Sequence, residues 1–176
     1  MVFCYVLMFT ASSQDIGYRT VDIGGEYQWH KAGNIIGLHL AFNAKIYHGN
    51  QVRFGYLNTD HKQSGKHEEE KGGGWGGGLG YRYYFEPIPN KFFLGLRTDV
   101  WRKNIDWIDT NPVVSGTSKT WEIVPSLESG YLFLINDQGF ITPTISAGYE
   151  VNLKTEGAET RRGFLLLIGV SAGFRF

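Results

Sequence analysis

Two histidines and three carboxylates crowd one polar segment, His61-Lys62-Gln63-Ser64-Gly65-Lys66-His67-Glu68-Glu69-Glu70-Lys71. Imidazole nitrogens and carboxylate oxygens are ligands for divalent metals, but no regular interval separates them and a loop imposes no coordination geometry. A solvated loop is the expectation, without a metal or any other cofactor. The residues that follow, Gly72-Gly73-Gly74-Trp75-Gly76-Gly77-Gly78, have the glycine content of a phosphate cradle. They lack the Gly-Lys-Ser/Thr and the following helix that such a cradle requires, so they read as strand with small side chains on one face. Nucleophilic catalysis needs a histidine beside a serine or carboxylate. All five histidines (His30, His39, His48, His61 and His67) precede residue 68, and nothing fixes their geometry against Ser64 or Ser115. No enzymatic activity is expected.

A second set of chemical groups is spread along the whole chain at alternate positions. Asp22, Glu26, Asp99, Glu122, Glu128 and Glu150 stand against Lys45, Arg53, Arg82, Arg97 and Arg175. Each shares its face of the alternation with glycine, serine or threonine, and apolar residues fill the other face. In the first segment Val21, Ile23, Tyr27 and Trp29 alternate with Asp22, Glu26, Gln28 and His30. In the last, Phe164, Leu166, Ile168, Val170, Phe174 and Phe176 alternate with Gly169, Ser171, Gly173 and Arg175. A period of two is the signature of a strand, and the pattern recurs in eight segments. Tight turns are expected at His48-Gly49-Asn50, Pro87-Ile88-Pro89-Asn90 and Asn136-Asp137-Gln138-Gly139, and longer polar loops at about 62–73, 106–119 and 154–162. An up-and-down antiparallel meander with one trimmed and one elaborated end follows. The fold class is all-β, an eight-stranded barrel, in one domain over 14–176.

Alternation does not by itself say which face points out. The charged face is nearly balanced, as charges confined in a narrow lumen must be to offset desolvation. The apolar face carries Trp29, Trp75 and Trp121 near one end and Tyr83, Phe85, Phe92, Tyr131, Phe133 and Phe174 near the other. Two aromatic girdles flank the lipid-facing band of a transmembrane barrel. The apolar face therefore reads as lipid-facing, and the charged one as a plugged polar lumen. A soluble lipocalin-like ligand-binding barrel, with the faces reversed, is the alternative.

Composition narrows the classes further. With 17 basic and 17 acidic residues the formal charge is zero, which argues against a nucleic-acid partner. A single cysteine, Cys4, excludes an internal disulfide framework. Residues 1–13 read as an export leader: Val2–Thr10 is uncharged and largely apolar, and Ala11 and Ser13 give a small-x-small cleavage site, although no basic residue precedes them.

The stretch from about 15 to 176 resembles the small eight-stranded bacterial outer-membrane barrels of the OmpA/OmpX/OmpW kind. The ending Val170-Ser171-Ala172-Gly173-Phe174-Arg175-Phe176 carries the resemblance best, and Leu79-Gly80-Tyr81-Arg82-Tyr83-Tyr84-Phe85 resembles barrels of Bacteroidetes-type bacteria. The resemblance implies an outer-membrane location, lipid and lipopolysaccharide as surroundings, and a terminal Phe176 read by the barrel-assembly machinery. Pro125 and Pro143 fall inside strands, where each removes a ladder donor. A bulge or local pairing defect is the expectation there, with a lateral opening to the bilayer, as in the palmitoyltransferase-type barrel, or a partner docking face the alternative. The expected role is structural or interactive: an envelope component, a surface-display protein, or a subunit of a larger outer-membrane complex. A narrow channel for small hydrophobic or ionic solutes is the other reading.

Overall fold

Alternating apolar and polar side chains, rich in aromatic and β-branched types, favour pleated strands, because successive side chains then leave the backbone on opposite sides. The computed structural model describes residues 19–45, 47–62, 66–86, 91–160 and 162–176, apart from the side chains of Ala44 and Lys45. Residues 1–13, read from the sequence as an export leader, lie outside the described residues. Eight strands follow in order: β1 (Thr20–His30), β2 (Gly33–Lys45), β3 (His48–Lys62), β4 (Glu69–Tyr84), β5 (Lys91–Thr110), β6 (Val113–Ile135), β7 (Gly139–Glu156) and β8 (Gly163–Arg175). Each pairs antiparallel with its neighbours, and the ring closes between β1 and β8. Closure runs from Trp29 opposite Ile168 to Asp22 opposite Arg175. Beyond that pair, Phe176 and Val21 exchange two backbone hydrogen bonds of 2.9 Å, so the terminal residue is itself part of the seam.

The connections differ from the sequence reading in three respects. The segment 106–119 is not a loop. β5 and β6 remain paired up to Thr110 opposite Val113, and only Asn111 and Pro112 turn the chain. Ile108, Thr110, Val113, Val114 and Thr117 are β-branched, and such side chains favour the extended backbone that prolongs the hairpin. β3 and β4 likewise pair to Lys62 opposite Glu69. His48-Gly49-Asn50 belongs to β3, so the turn from β2 comes earlier. At the β6–β7 turn, Asn136 and Asp137 take φ values of 51° and 60°, and the Gln138 amide donates to the Ile135 carbonyl at 3.3 Å. Two left-handed residues in succession make the mirror-image turn that matches strand twist, and Asn and Asp tolerate it.

Burial is inverted relative to a water-soluble barrel. Leu38, Trp75 and Leu96 are 60% or more exposed, while Asp22, Asp99 and Glu128 are 1% exposed. The interior is not uniformly polar, however. Ile35, Leu57, Trp101, Val124, Leu165 and Leu167 form one apolar cluster, and Tyr84, Phe93, Leu132 and Phe140 a second. Glycine makes room for the first: a Cβ on Gly76, opposite Trp101, would lie 2.4 Å from the indole ring and 2.3 Å from the Val100 carbonyl oxygen.

Candidate functional site

β5 shows how the interior is arranged. Its inward positions run Phe93, Gly95, Arg97, Asp99, Trp101, Lys103, Ile105, alternating apolar and charged layers. β6, descending beside it, presents Leu132, Glu128, Ser126, Val124, Glu122, Thr120 and Ser118. A band of ionised groups therefore sits between two apolar clusters.

In that band six residues from five strands form one connected chain of charge. Arg82 of β4 reaches Glu128 through Nη2 at 2.8 Å and Nε at 2.9 Å. The other Glu128 oxygen accepts from Arg97 Nη1 at 2.7 Å. Arg97 Nε lies 3.0 Å from Asp99, whose second oxygen is 3.4 Å from Arg53 Nε. Arg53 Nη2 ends the chain 2.6 Å from Glu26 of β1. Three guanidiniums thus meet three carboxylates, and the band carries no net charge. Gln28 accepts from Arg97 at 3.2 Å, and Gln51 donates to Glu128 at 3.5 Å. The Arg82 guanidinium also lies 4.3 Å from the centre of the Phe93 ring, a cation–π contact that ties the band to the apolar cluster beside it.

The remaining charged candidates are placed elsewhere. Asp22 and Arg175 form a separate bidentate pair, at 2.6 and 2.7 Å, across the β1–β8 closure, with Asn43 donating to Asp22 at 3.0 Å. Glu122 pairs with Lys103 nearer the elaborated end. Glu150 is buried in the interior. The Lys45 side chain lies outside the described residues. Lys103, Gln28 and Gln51 are partners that the charge pattern does not pick out. Lys103 is hidden because its neighbour Arg102 is charged too, and a charge on each face erases the parity signal.

All nine aromatics expected to form the girdles, Trp29, Trp75, Tyr83, Phe85, Phe92, Trp121, Tyr131, Phe133 and Phe174, are exposed on the outer surface, as is Phe176. Several pack on one another along that surface, among them Phe85 on Phe92 at 5.3 Å and Tyr131 on Phe133 at 4.4 Å between ring centres.

Pro125 and Pro143 fall on the same seam. The β6–β7 ladder skips Val124 and Pro125 opposite Tyr149 and Glu150, and again Tyr131 and Leu132 opposite Thr142 and Pro143. The β5–β6 ladder runs through Pro125, and the β7–β8 ladder runs through Pro143. Each proline thus interrupts pairing only towards the other's strand, because its missing donor faces there.

The described part of the histidine-rich segment, residues 61–62 and 66–71, makes more contacts than a solvated loop. Glu70 is buried and accepts the backbone amides of Lys66 and His67 at 2.7 and 3.1 Å. The His67 ring stacks on Trp107 with ring centres 4.1 Å apart, and its Nδ1 lies 2.8 Å from Asp109. That bond, with the Glu68 amide, holds the Asp109 carboxyl below the usual aspartate range. Lys66 pairs with Glu159 and so ties this segment to the connection between β7 and β8. Ser64 lies outside the described residues. Among the described residues no group of three histidine, cysteine or carboxylate side chains is close enough to hold a metal.

No protein-family model and no curated protein sequence matches the chain. Solved structures do. The N-terminal β-barrel domain of Pseudomonas aeruginosa OprF aligns with 91% of this chain and 99% of its own, at a TM-score of 0.55 and 14% identity. Neisserial surface protein A aligns with 89% of this chain and 96% of its own, at 0.54 and 14%. Ail, the attachment invasion locus protein of Yersinia pestis, solved in complex with the heparin analogue sucrose octasulfate, aligns with 91% and 99%, at 0.51 and 12%. At these identities the likeness establishes the fold: an eight-stranded antiparallel up-and-down barrel of the outer-membrane type.

Proposed function

We propose that the chain is an integral barrel of a bacterial outer membrane, with a plugged polar lumen and a structural or surface-interaction role, alone or as an accessory subunit of a larger complex. The observation that carries this reading is the neutral six-residue chain of charge inside a shell whose outward side chains are apolar. In water, that exterior would be a contiguous apolar patch far beyond what a soluble protein exposes. Two aromatic belts support the same reading. Trp75 and Tyr83 are eight positions apart on β4, about 26 Å along the strand, and the usual strand tilt brings that to roughly 20 Å across a bilayer. The extended β5–β6 hairpin belongs at the outer end, where loops of such barrels are longer. Phe176, paired with Val21 in the closing seam, is the residue offered to the assembly machinery.

The reading is non-catalytic. Purified full-length protein should need detergent for extraction from envelopes. Unheated, it should migrate on SDS gels as a folded species separate from the boiled chain. Release in detergent-free buffer would overturn the membrane assignment. A second reading, a narrow conduit, is favoured by the hydroxyls of Thr142, Ser146 and Ser171. They line the β7–β8 wall, buried and without a hydrogen-bond partner among the described residues, a strip of polar groups that a passing solute could engage.

A further inference from the structure

On the outer surface, near the elaborated end, three basic side chains converge around one indole. Arg102 of β5 is paired across the sheet with Trp121 of β6, and Trp121 with Lys154 of β7. The Arg102 guanidinium lies 5.8 Å from the centre of the Trp121 ring. Lys119, two positions further along the same face of β6, completes a shallow depression lined by these residues, Thr120 and Glu156. Arg102, Lys119, Trp121, Lys154 and Glu156 are all exposed.

The arrangement depends on a local irregularity. Up to Asn152 the inward positions of β7 are even-numbered: Phe140, Thr142, Ser146, Gly148 and Glu150 are buried. Uninterrupted, the alternation would send Lys154 inward. The β6–β7 register instead shifts between Trp121 and Glu122, which pair with Lys154 and Asn152 and leave Leu153 as the extra residue. Leu153 and Lys154 are both exposed as a result, and Glu156 follows them to the outer face. A bulge that re-aims a side chain is a recurring device next to binding sites. Here it brings the third cation beside the other two.

Two carboxylates lie near. Glu156 pairs with Lys154 Nζ at 3.0 Å, and Asp106 accepts from the Thr117 hydroxyl at 2.6 Å. The Glu156 carboxyl is held below the usual carboxylate range, first by its bond to Lys154 and then by that residue's charge, with Lys119 and Arg102 adding to the effect. The local field is therefore positive. Below the cations the surface turns apolar through Trp121, Leu153 and Val151.

The geometry points to a binding site for a membrane lipid bearing phosphate on its headgroup. Its anionic oxygens would be held by Arg102, Lys119 and Lys154, and its acyl chains would lie along Trp121, Leu153 and Val151. Arg supplies a planar fork to phosphate oxygens, the lysines supply point charges, and basic pockets at membrane surfaces take anionic headgroups. The inference rests on the membrane reading above and adds to it a position and a ligand chemistry. The apolar floor, continuous with the aromatic belt, favours a lipid over free phosphate.

The test is native mass spectrometry of the full-length protein in mild detergent. It is titrated with a bisphosphorylated glycolipid, with the same lipid dephosphorylated, and with inorganic phosphate. The expected result is at least tenfold tighter binding of the phosphorylated lipid than of the dephosphorylated one. That preference should be lost in the triple variant R102Q/K119Q/K154Q and retained in the same-end control K62Q/K71Q. Inorganic phosphate at equal concentration should not displace the lipid. Equal binding of the two lipids, full retention in the triple variant, or displacement by inorganic phosphate would each overturn the proposal. Gel mobility of the unheated variants verifies that they fold. Failure of the detergent requirement would sink the membrane reading itself, whereas loss of phosphate selectivity in an inserted barrel sinks only the site.

Discussion

Glu128 holds two guanidiniums at once, those of Arg82 and Arg97, at distances of 2.7 to 2.9 Å and with its side chain 1% exposed. Breaking a buried pair by removing one partner costs more than the pair contributed, because the surviving charge stays desolvated and uncompensated. Glu128→Gln leaves Arg82 without its carboxylate and Arg97 with Asp99 alone. The expected loss is about 3–5 kcal/mol of unfolding free energy, read from the urea midpoint of the folded barrel in lipid vesicles. Lys91→Gln removes a pair of similar length, 2.8 Å to Glu86, but at the exposed turn end, and should leave the midpoint unmoved. Equal effects from the two variants would show that the interior charges are not a desolvated network.

At the scale of the strand, the two prolines weaken one seam rather than two. β6 and β7 lose pairing at both Pro125 and Pro143, while β3 and β4 pair without interruption from His48 opposite Tyr83 to Lys62 opposite Glu69. Amides of β6 and β7 that face this seam should exchange at least tenfold faster than those between β3 and β4 in the folded, micelle-bound protein. Protection as strong as that of β3 and β4 would remove the seam as an opening towards the bilayer. The prolines were visible in the sequence, but their alignment on one seam was not, because register is a relation between strands. Parity explains much of what could be read. Where one face is polar, as in β1 and β3, the alternation separates inward from outward residues. It fails at Phe164-Leu165-Leu166-Leu167-Ile168, where both faces are apolar, since Leu165 and Leu167 join the inner cluster. It fails again at Arg102-Lys103, where both faces are charged. The bulge at Leu153 was hidden for the same reason as the seam, and with it the outward turn of Lys154.

For the molecule as a whole, the layered interior favours the proposed plugged barrel over a conduit. Eight strands enclose a space that side chains can fill. A permeating ion would have to cross the cluster around Trp101, Val124 and Leu167, then the Arg97–Glu128 band, then the cluster of Tyr84, Phe93, Leu132 and Phe140. The apolar layers offer it nothing to replace its hydration, and the charged band has its own ions paired in place. The hydroxyls of Thr142, Ser146 and Ser171, unpartnered among the described residues, lie to one side, on β7 and β8, and are packed over by the interior, so they form no continuous wet path. Purified protein in planar bilayers at neutral pH should therefore show no steady unitary conductance. Enlarging the space should change this. Trp101→Ala together with Phe93→Ala removes one large side chain from each apolar cluster, and this double variant is expected to give small, brief openings while still folding. Steady, step-like conductance from the unaltered protein would transfer the function to the channel reading, and would place its path along the hydroxyl-lined β7–β8 wall.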